Sequence, residues 1–420
     1  MIRPTASAPL STPESAGEVP FQAAELIYSR TDERAVIRSA NAVFRRLSGH
    51  DWPDLVNAPH RIIRHPDMPK GFFHLFWSLL KSGQPAVGYV KNRSKDGRYY
   101  WVLANAIACD GGYFSVRFKP SSPLFDTIRA EYAALLRLEQ QEGLTAEDSA
   151  QVFLARLAAL GFSSYLEFMS RATSEELRAR NRLLGRQEDR EGLSIAALVD
   201  LLVEAQQEQD GLIARFSDLI LLPVNMRLVA ARLEPQGGPI SQISMNYKTA
   251  SDEITRRLTS FVSGDANLCG RMATAVRAAL VLDRCARLQS ELVQADDRVD
   301  GTYTDPERRV EGEILKQVET LCISRAQDAL AEARQLAVNL TEASTDVRRM
   351  ILGLDTIRIL GRVESRRDLH SEASMSATID QIDKVQGEIS VSLKHLTDLT
   401  AAIHASLTTL HRPSRAIAAK

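Results

Sequence analysis

Short stretches in which hydrophobic and polar residues alternate mark the chain up to about residue 120. Five of them have the spacing and composition of strands, at residues 25–28, 35–38, 86–91, 99–106 and 113–118. Helical segments around residues 41–47 and 72–81 lie between the second and third stretches. The order predicts an α+β domain, a five-stranded antiparallel sheet with small helices packed on one face. Such a sheet, curled over its helices, leaves a pocket for a small ligand.

After residue 122 the hydrophobic residues recur at helical spacing. Pro123 at a first helical position and Gly143 at a stop position bound one predicted helix. Long helices are predicted in the segments 193–233, 240–262, 266–297 and from residue 305 onward. The region is therefore expected to be all-α.

The last predicted helix has a seven-residue hydrophobic repeat formed by Ile382, Ile389, Leu396, Ile403 and Leu410. A repeat of about four heptads is typical of a coiled coil. Ser392 and Ser406 occupy alternate seam positions, which favours packing in a bundle over an isolated two-helix zipper. The pattern predicts a helical bundle with coiled-coil character.

These patterns divide the chain into five segments with different expected structures. We expect a disordered leader in 1–20, a sensor domain in 21–120, a helical linker in 121–190, a helical hairpin region in 191–300 and a long-helix bundle in 301–420.

The charge balance and the cysteines narrow the possible functions. The chain has 52 basic and 53 acidic residues, so its net charge of −1 gives no long-range attraction to nucleic acid or to an anionic membrane. No stretch reaches the roughly 18 apolar residues that span a bilayer. The four cysteines are far apart and form no CxxC pair, which argues against a zinc site and suits a reducing compartment. We therefore expect a cytoplasmic protein with no bound metal.

The strongest motif is IRHPDMP at residues 63–69, followed by Trp77, VKNR at 90–93 and YYWV at 99–102. These residues resemble the PAS domain of bacterial aerotaxis receptors, the FAD-binding redox sensors of chemotaxis. The resemblance runs almost without gaps from residue 39 to residue 117. It implies a PAS fold for this part of the chain and FAD as its cofactor.

The resemblance also implies which residues retain the flavin. The matching positions are Asn41, Arg64, His65, Asp67, Trp77 and Asn92. An isoalloxazine ring is flat and apolar with a polar edge, so Trp77 and Trp101 are candidates to pack against it. Amide and imidazole groups can hydrogen-bond the ring edge, and an arginine can pair with the pyrophosphate. Both tryptophans can equally be core residues, and a PAS domain can bind haem, another small molecule or nothing.

Residues 221–232, LLPVNMRLVAAR, carry a second resemblance, to the hairpin tip of methyl-accepting chemotaxis receptors. Gly237 matches the turn of that tip, and residues 240–254 match its returning helix. In that family the tip contacts a histidine kinase and its coupling protein, which implies Asn225 and Arg232 as partner-binding residues. Here Val229 stands where the family has a glutamate, so the tip is degenerate.

Catalytic motifs are absent from the sequence: there is no GxSxG, P-loop, GxGxxG or HExxH. We therefore expect a signalling protein and no enzyme. In one interpretation a PAS-bound flavin senses redox state or oxygen, and the helical region passes the signal to a chemotaxis-type or other signalling partner. In the alternative the PAS domain binds no cofactor and serves as a scaffold or dimerisation module. Paired tips and a heptad seam favour a homodimer, whereas nothing in the sequence identifies the downstream partner.

Overall fold

The computed structural model describes residues 17–187, 190–233, 238–262, 267–295, 305–365 and 372–410. The first 16 residues of the predicted leader therefore lie outside the described part. The chain forms two compact units. One joins residues 1–188 with 281–324, and the other joins 189–280 with 325–420.

The first unit is built on one antiparallel sheet. Its strands are β1 (Ile27–Asp32), β2 (Ile37–Ala40), β3 (Ala86–Arg93), β4 (Tyr99–Cys109) and β5 (Gly112–Phe118). Their order across the sheet is β2-β1-β5-β4-β3, and each neighbouring pair is antiparallel. The predicted fold class, a five-stranded antiparallel sheet followed by a helical region, is confirmed.

The turn sequences explain how consecutive strands pair. Gly111 and Gly112 close the β4–β5 hairpin with φ values of 70° and 156°, which glycine adopts readily. A Cβ on Gly112 would lie 1.9 Å from the carbonyl oxygen of Thr31 on β1, so no larger residue fits there. The β1–β2 turn is held by Asp32, whose Oδ1 accepts hydrogen bonds from the amides of Arg34 and Val36 at 2.9 Å each.

Helices pack on both faces of this sheet. Those between β2 and β3 are α1 (Ala42–Ser48), α2 (Trp52–Leu55), a 3-10 turn (His60–Ile63) and α3 (Lys70–Lys81). Those after β5 are α4 (Pro123–Glu142), α5 (Ala146–Ala159) and α6 (Tyr165–Leu183). Aromatic rings fill the space between the sheet and the helices after β5. The ring centroids of Trp101 and Phe125 are 5.3 Å apart, and those of Tyr89 and Phe168 are 6.3 Å apart.

A buried carboxylate fixes the start of α4. Glu176 of α6 accepts hydrogen bonds from the amides of Ser121 and Ser122 at 2.6 and 3.0 Å, and from the Ser122 hydroxyl at 2.6 Å. It also accepts one from the hydroxyl of Tyr89 on β3 at 2.9 Å. The charge therefore lies at the positive N-terminal end of α4 and ties that end to the sheet.

A second carboxylate holds α3, the helix that carries Trp77. Glu139 of α4 accepts hydrogen bonds from the amides of Lys70 and Gly71, at 3.2 and 3.1 Å. Pro69 precedes the helix and offers no side-chain cap, so the cap comes from another helix. α4 is thus attached both to the sheet and to α3.

The described residues between 281 and 324 belong to two long helices further along the chain. The helices beyond α6 are α7 (Arg190–Leu233), α8 (Pro239–Val262), α9 (Leu268–Ala295), α10 (Asp305–Ser365) and α11 (Glu372–Leu410). Glu291 of α9 forms a two-point ion pair with Arg180, both contacts at 2.7 Å. Glu311 of α10 binds Arg30 of β1 and accepts a hydrogen bond from Ser39 of β2 at 2.8 Å.

The second unit is helical. α11 packs along α7, and its heptad residues Ile382, Ile389, Leu396 and Ile403 are buried. Polar contacts join further helices: Gln386 of α11 donates to the hydroxyl of Tyr247 of α8 at 3.1 Å. Across all the described helices, none combines the length and the apolar character needed to cross a membrane.

Glu176→Gln tests the contribution of the buried carboxylate. The amide replaces an acceptor oxygen with a donor that faces other donors, so we expect the free energy of unfolding to fall by about 3 kcal/mol. Glu142→Gln, an exposed change on α4, is the control and should alter it by less than about 0.5 kcal/mol. Urea unfolding followed by circular dichroism measures both. Equal small effects would contradict a stabilising role for Glu176.

Candidate functional site

A cavity of about 470 Å³ lies between one face of the sheet and helix α3. This volume is within the range of small-ligand sites, roughly 300–1,000 Å³. Phe73, Phe76, Trp77 and Leu80 of α3 form an apolar wall. The 3-10 turn before α3 closes a third side with His60 and Ile63, among other residues.

Strand alternation determines which sheet residues face the cavity. Ala104 and Ala106 of β4 line it, and their small side chains leave the space that the cavity occupies. Polar residues come from the other strands: Ser29, Thr31, Asn92, Ser115 and Arg117. The cavity thus has one apolar wall and one polar wall.

Three of these polar side chains are buried and lack a partner in the described part of the chain. The atoms are Thr31 Oγ1, Asn92 Nδ2 and Ser115 Oγ. The residues are 5%, 3% and 7% exposed, so bulk water does not satisfy them. Because buried polar groups are nearly always hydrogen-bonded, three in one cavity indicate a site for a polar ligand.

The guanidinium of Arg117 is a buried cation in the cavity wall. It donates to Ser29 Oγ at 3.0 Å, and its second terminal nitrogen lies 2.9 Å from Nε2 of His60. A guanidinium can only donate, so Nε2 is the acceptor and the imidazole proton is on Nδ1. Burial and the neighbouring Arg117 charge lower the pKa of His60 to about 3, which leaves the ring neutral at neutral pH.

Three of the residues predicted to bind the cofactor line the cavity: Arg64, Trp77 and Asn92. The Trp77 ring packs edge to face on Tyr113, with centroids 5.3 Å apart. The guanidinium carbon of Arg64 lies 3.9 Å from the centre of the Phe73 ring, and burial lowers its pKa. The backbone of Arg64 forms a bridge with Asn92, which places the IRHPDMP motif beside β3.

The other four predicted cofactor residues do not line the cavity. Asn41 caps α1 by accepting from the Phe44 amide, and its amide donates to a backbone carbonyl. His65 Nδ1 accepts from the Asp67 amide at 3.1 Å, and Asp67 forms an ion pair with a lysine of β3. Trp101 lies on the opposite face of the sheet, packed against α4.

The sequence prediction does not include the other cavity residues, among them His60, Thr31, Ser115 and Arg117. One signal for them is present in the sequence. In β5, Ser115 and Arg117 alternate with Phe114, Val116 and Phe118, so one face of a buried strand is polar. A polar face within a buried sheet predicts a polar cavity.

The two predicted partner-binding residues belong to α7. Asn225 is exposed, and the side chain of Arg232 lies outside the described residues. Within the described ranges no group of three or more His, Cys, Asp or Glu side chains is placed to hold a metal ion.

Residues 37–112 match the family model described as the PAS fold. This part of the chain is a PAS domain. A solved PAS-domain structure from Colwellia psychrerythraea shares 16% identity with it, covering 22% of this chain and 85% of that chain with a TM-score of 0.19.

Two curated relatives resemble the chain. The Aerotaxis receptor of Escherichia coli (strain K12) is 40% identical over 114 residues, 26% of this chain and 22% of the receptor. The Nitrogen fixation regulatory protein of Klebsiella pneumoniae is 33% identical over 79 residues, 19% of this chain and 16% of that protein. The match thus spans less than a quarter of each relative's length. The chain carries a PAS signal-transduction domain related to a receptor and to a regulator.

The position of His60 predicts a pH dependence of stability. Its pKa is lower in the folded chain than the ordinary value of 6.5, so its stabilising contribution is complete above pH 6.5 and is lost as the pH falls toward 3. Between pH 7 and pH 5 the free energy of unfolding should fall by at most about 1.4 kcal/mol per pH unit. His60→Gln should flatten this slope, whereas the exposed control His74→Gln should retain it. Equal slopes in both variants, measured by urea unfolding, would contradict the assignment.

Proposed function

We propose that the cavity of the PAS domain binds FAD and that the domain is a redox or oxygen-linked sensor. The observation that carries the proposal is the cavity itself, in which Trp77 forms part of the apolar wall and three buried polar atoms lack partners. The 40% identity to a protein named Aerotaxis receptor supports the same cofactor class.

The cavity residues suit both the apolar face and the polar edge of a flavin ring. The α3 wall offers aromatic surface for a flat apolar ring. The unpartnered Nδ2 of Asn92 is a donor, and the hydroxyls of Thr31 and Ser115 can donate or accept, as the heteroatoms of the ring edge require. Arg64 lies at the cavity with a charge suited to a pyrophosphate. A bound flavin would supply reversible acceptance of electrons.

The cavity residues are connected to α4 by short routes within the first unit. Asn92 lies on β3, and Tyr89 of the same strand projects to the opposite face of the sheet. The Tyr89 hydroxyl donates to Glu176 of α6, which also accepts a hydrogen bond from Ser122 at the start of α4. Trp77 lies on α3, whose first turn is held by Glu139 of α4. A change of hydrogen bonding at the ring would bias α4 between two arrangements, because both routes end on that helix.

We further propose that the helical region is the output of the sensor. The receptor-tip resemblance, together with the exposed position of Asn225, supports a contact with a chemotaxis-type kinase, its coupling protein or another signalling partner. The resemblance to receptor tips, which work as pairs, supports a homodimer as the working form, although the heptad residues of α11 are already buried within the chain. If the domain instead acts as a scaffold without a cofactor, pull-down with a kinase coupling protein recovers nothing and the protein takes up no FAD.

The absorbance spectrum of the purified chain tests the proposal. We expect flavin bands between about 350 and 500 nm that dithionite bleaches and air restores, with FAD released by acid. A colourless protein that also fails to take up added FAD would contradict the proposal.

Substitutions on the two faces of the sheet provide matched controls. Asn92→Ala and Trp77→Ala remove groups from the cavity, so we expect FAD affinity to fall at least about tenfold in each, or 1.4 kcal/mol. Asn105→Ala and Trp101→Phe change the same residue types on the opposite face and should leave affinity within about twofold. Quenching of flavin fluorescence measures all four. A larger loss in the controls than in the cavity variants would place the ligand elsewhere.

A further inference from the structure

We infer that Arg117, with Thr31 and Ser115, forms an anion-binding end of the cavity, where the ligand presents a negatively charged group. For FAD, the cofactor class that the proposed function supplies, this group is the pyrimidine edge of the ring, which accepts hydrogen bonds when oxidised and is negatively charged when reduced. The inference rests on the proposed function for the identity of the ligand, whereas the charge of the ligand follows from Arg117 itself.

The first observation is a buried charge without a counter-ion. Arg117 is 6% exposed, and in the described part of the chain no carboxylate lies within 4.0 Å of its guanidinium. Burial lowers its pKa to about 10, so the group is still charged at neutral pH. Its partners, Ser29 and His60, are both neutral, and neither balances the charge.

Two other arginines of the same unit have their charge balanced by a carboxylate, as is usual for a charge removed from water. Arg180 is 1% exposed and forms a two-point ion pair with Glu291. Arg30 is paired in the same way with Glu311. An isolated buried charge destabilises a fold, because desolvation of the ion is not offset by a partner. Arg117 is therefore a residue whose balancing charge is expected from outside the chain.

The second observation is the cluster of unsatisfied hydroxyls beside Arg117. Ser115 is two residues away on the same face of β5, and Thr31 lies on the paired strand β1. Both hydroxyl oxygens are buried without a partner. A cationic ligand would be repelled by the guanidinium, whereas an anionic group can accept from the guanidinium and from both hydroxyls.

A charge at this place also has a redox consequence for a flavin. A bound flavin would take up two electrons from dithionite and one proton from water, and it would then carry one negative charge. A guanidinium beside the pyrimidine edge stabilises that charge more than it stabilises the neutral oxidised ring. Arg117 should therefore make the midpoint potential more positive than it would be without the charge.

The experiment compares Arg117→Met with Arg117→Lys and with the control Arg180→Met, each in the full chain. Arg117→Met should bind FAD at least about tenfold more weakly than the wild type and shift the midpoint potential to more negative values. Its ligand-free form should melt at a temperature equal to or above that of the wild type, because an uncompensated charge has been removed. The midpoint potential of Arg117→Lys should lie between those of the wild type and Arg117→Met. Arg180→Met should melt at a lower temperature, because it removes the two-point ion pair with Glu291 and the hydrogen bonds to the carbonyls of Ala23 and Ala24.

Two results would overturn the inference. One is an unchanged FAD affinity together with an unchanged potential in Arg117→Met. Another is a ligand-free Arg117→Met that melts several degrees below the wild type, which would make Arg117 a structural residue. If the wild type takes up no FAD, the proposed function fails, and the melting comparison alone decides the inference. A higher melting temperature for Arg117→Met then supports a different anionic ligand, and a lower one rejects it.

Discussion

The two-residue alternation of side chains along the strands is the constraint on which the rest of the structure depends. On β5 it sends Phe114, Val116 and Phe118 to one face and Ser115 and Arg117 to the other. The first face packs against helices, and the second faces a cavity that small residues of β4 keep open. A shift of one residue in register would exchange the two faces and bury the polar set in the helix-packing layer.

The same alternation relates the two faces of the sheet. A ligand on the cavity side would touch residues that alternate along the strands with those packed against the helices on the other side, so a strand that shifts changes the contacts on both sides. Glu139 and Glu176 extend this connection, because each carboxylate joins α4 to an element that lines or flanks the cavity. The ion pair between Arg30 and Glu311 connects the sheet to α10 in the same unit.

Much of the fold follows from local sequence signals. The hairpins are predictable because turn residues separate alternating runs, and the helix from Pro123 is predictable from its boundary residues. The motifs point to Arg64, Trp77 and Asn92, which line the cavity. Residue type alone does not reveal which face a side chain occupies, and Trp101, a candidate by its indole ring, lies on the opposite face. His60 and Arg117 meet across 57 positions, and Arg30 and Glu311 across 281, distances over which no sequence period operates.

We propose that the cavity of the PAS domain holds a flavin ring between Trp77 and the polar wall. A crystal structure of the chain grown with FAD tests this claim most directly. We expect density for a flat tricyclic ring in the cavity, with a ring heteroatom within hydrogen-bond distance of Asn92 Nδ2. A cavity occupied only by ordered water in crystals grown with saturating FAD would contradict it.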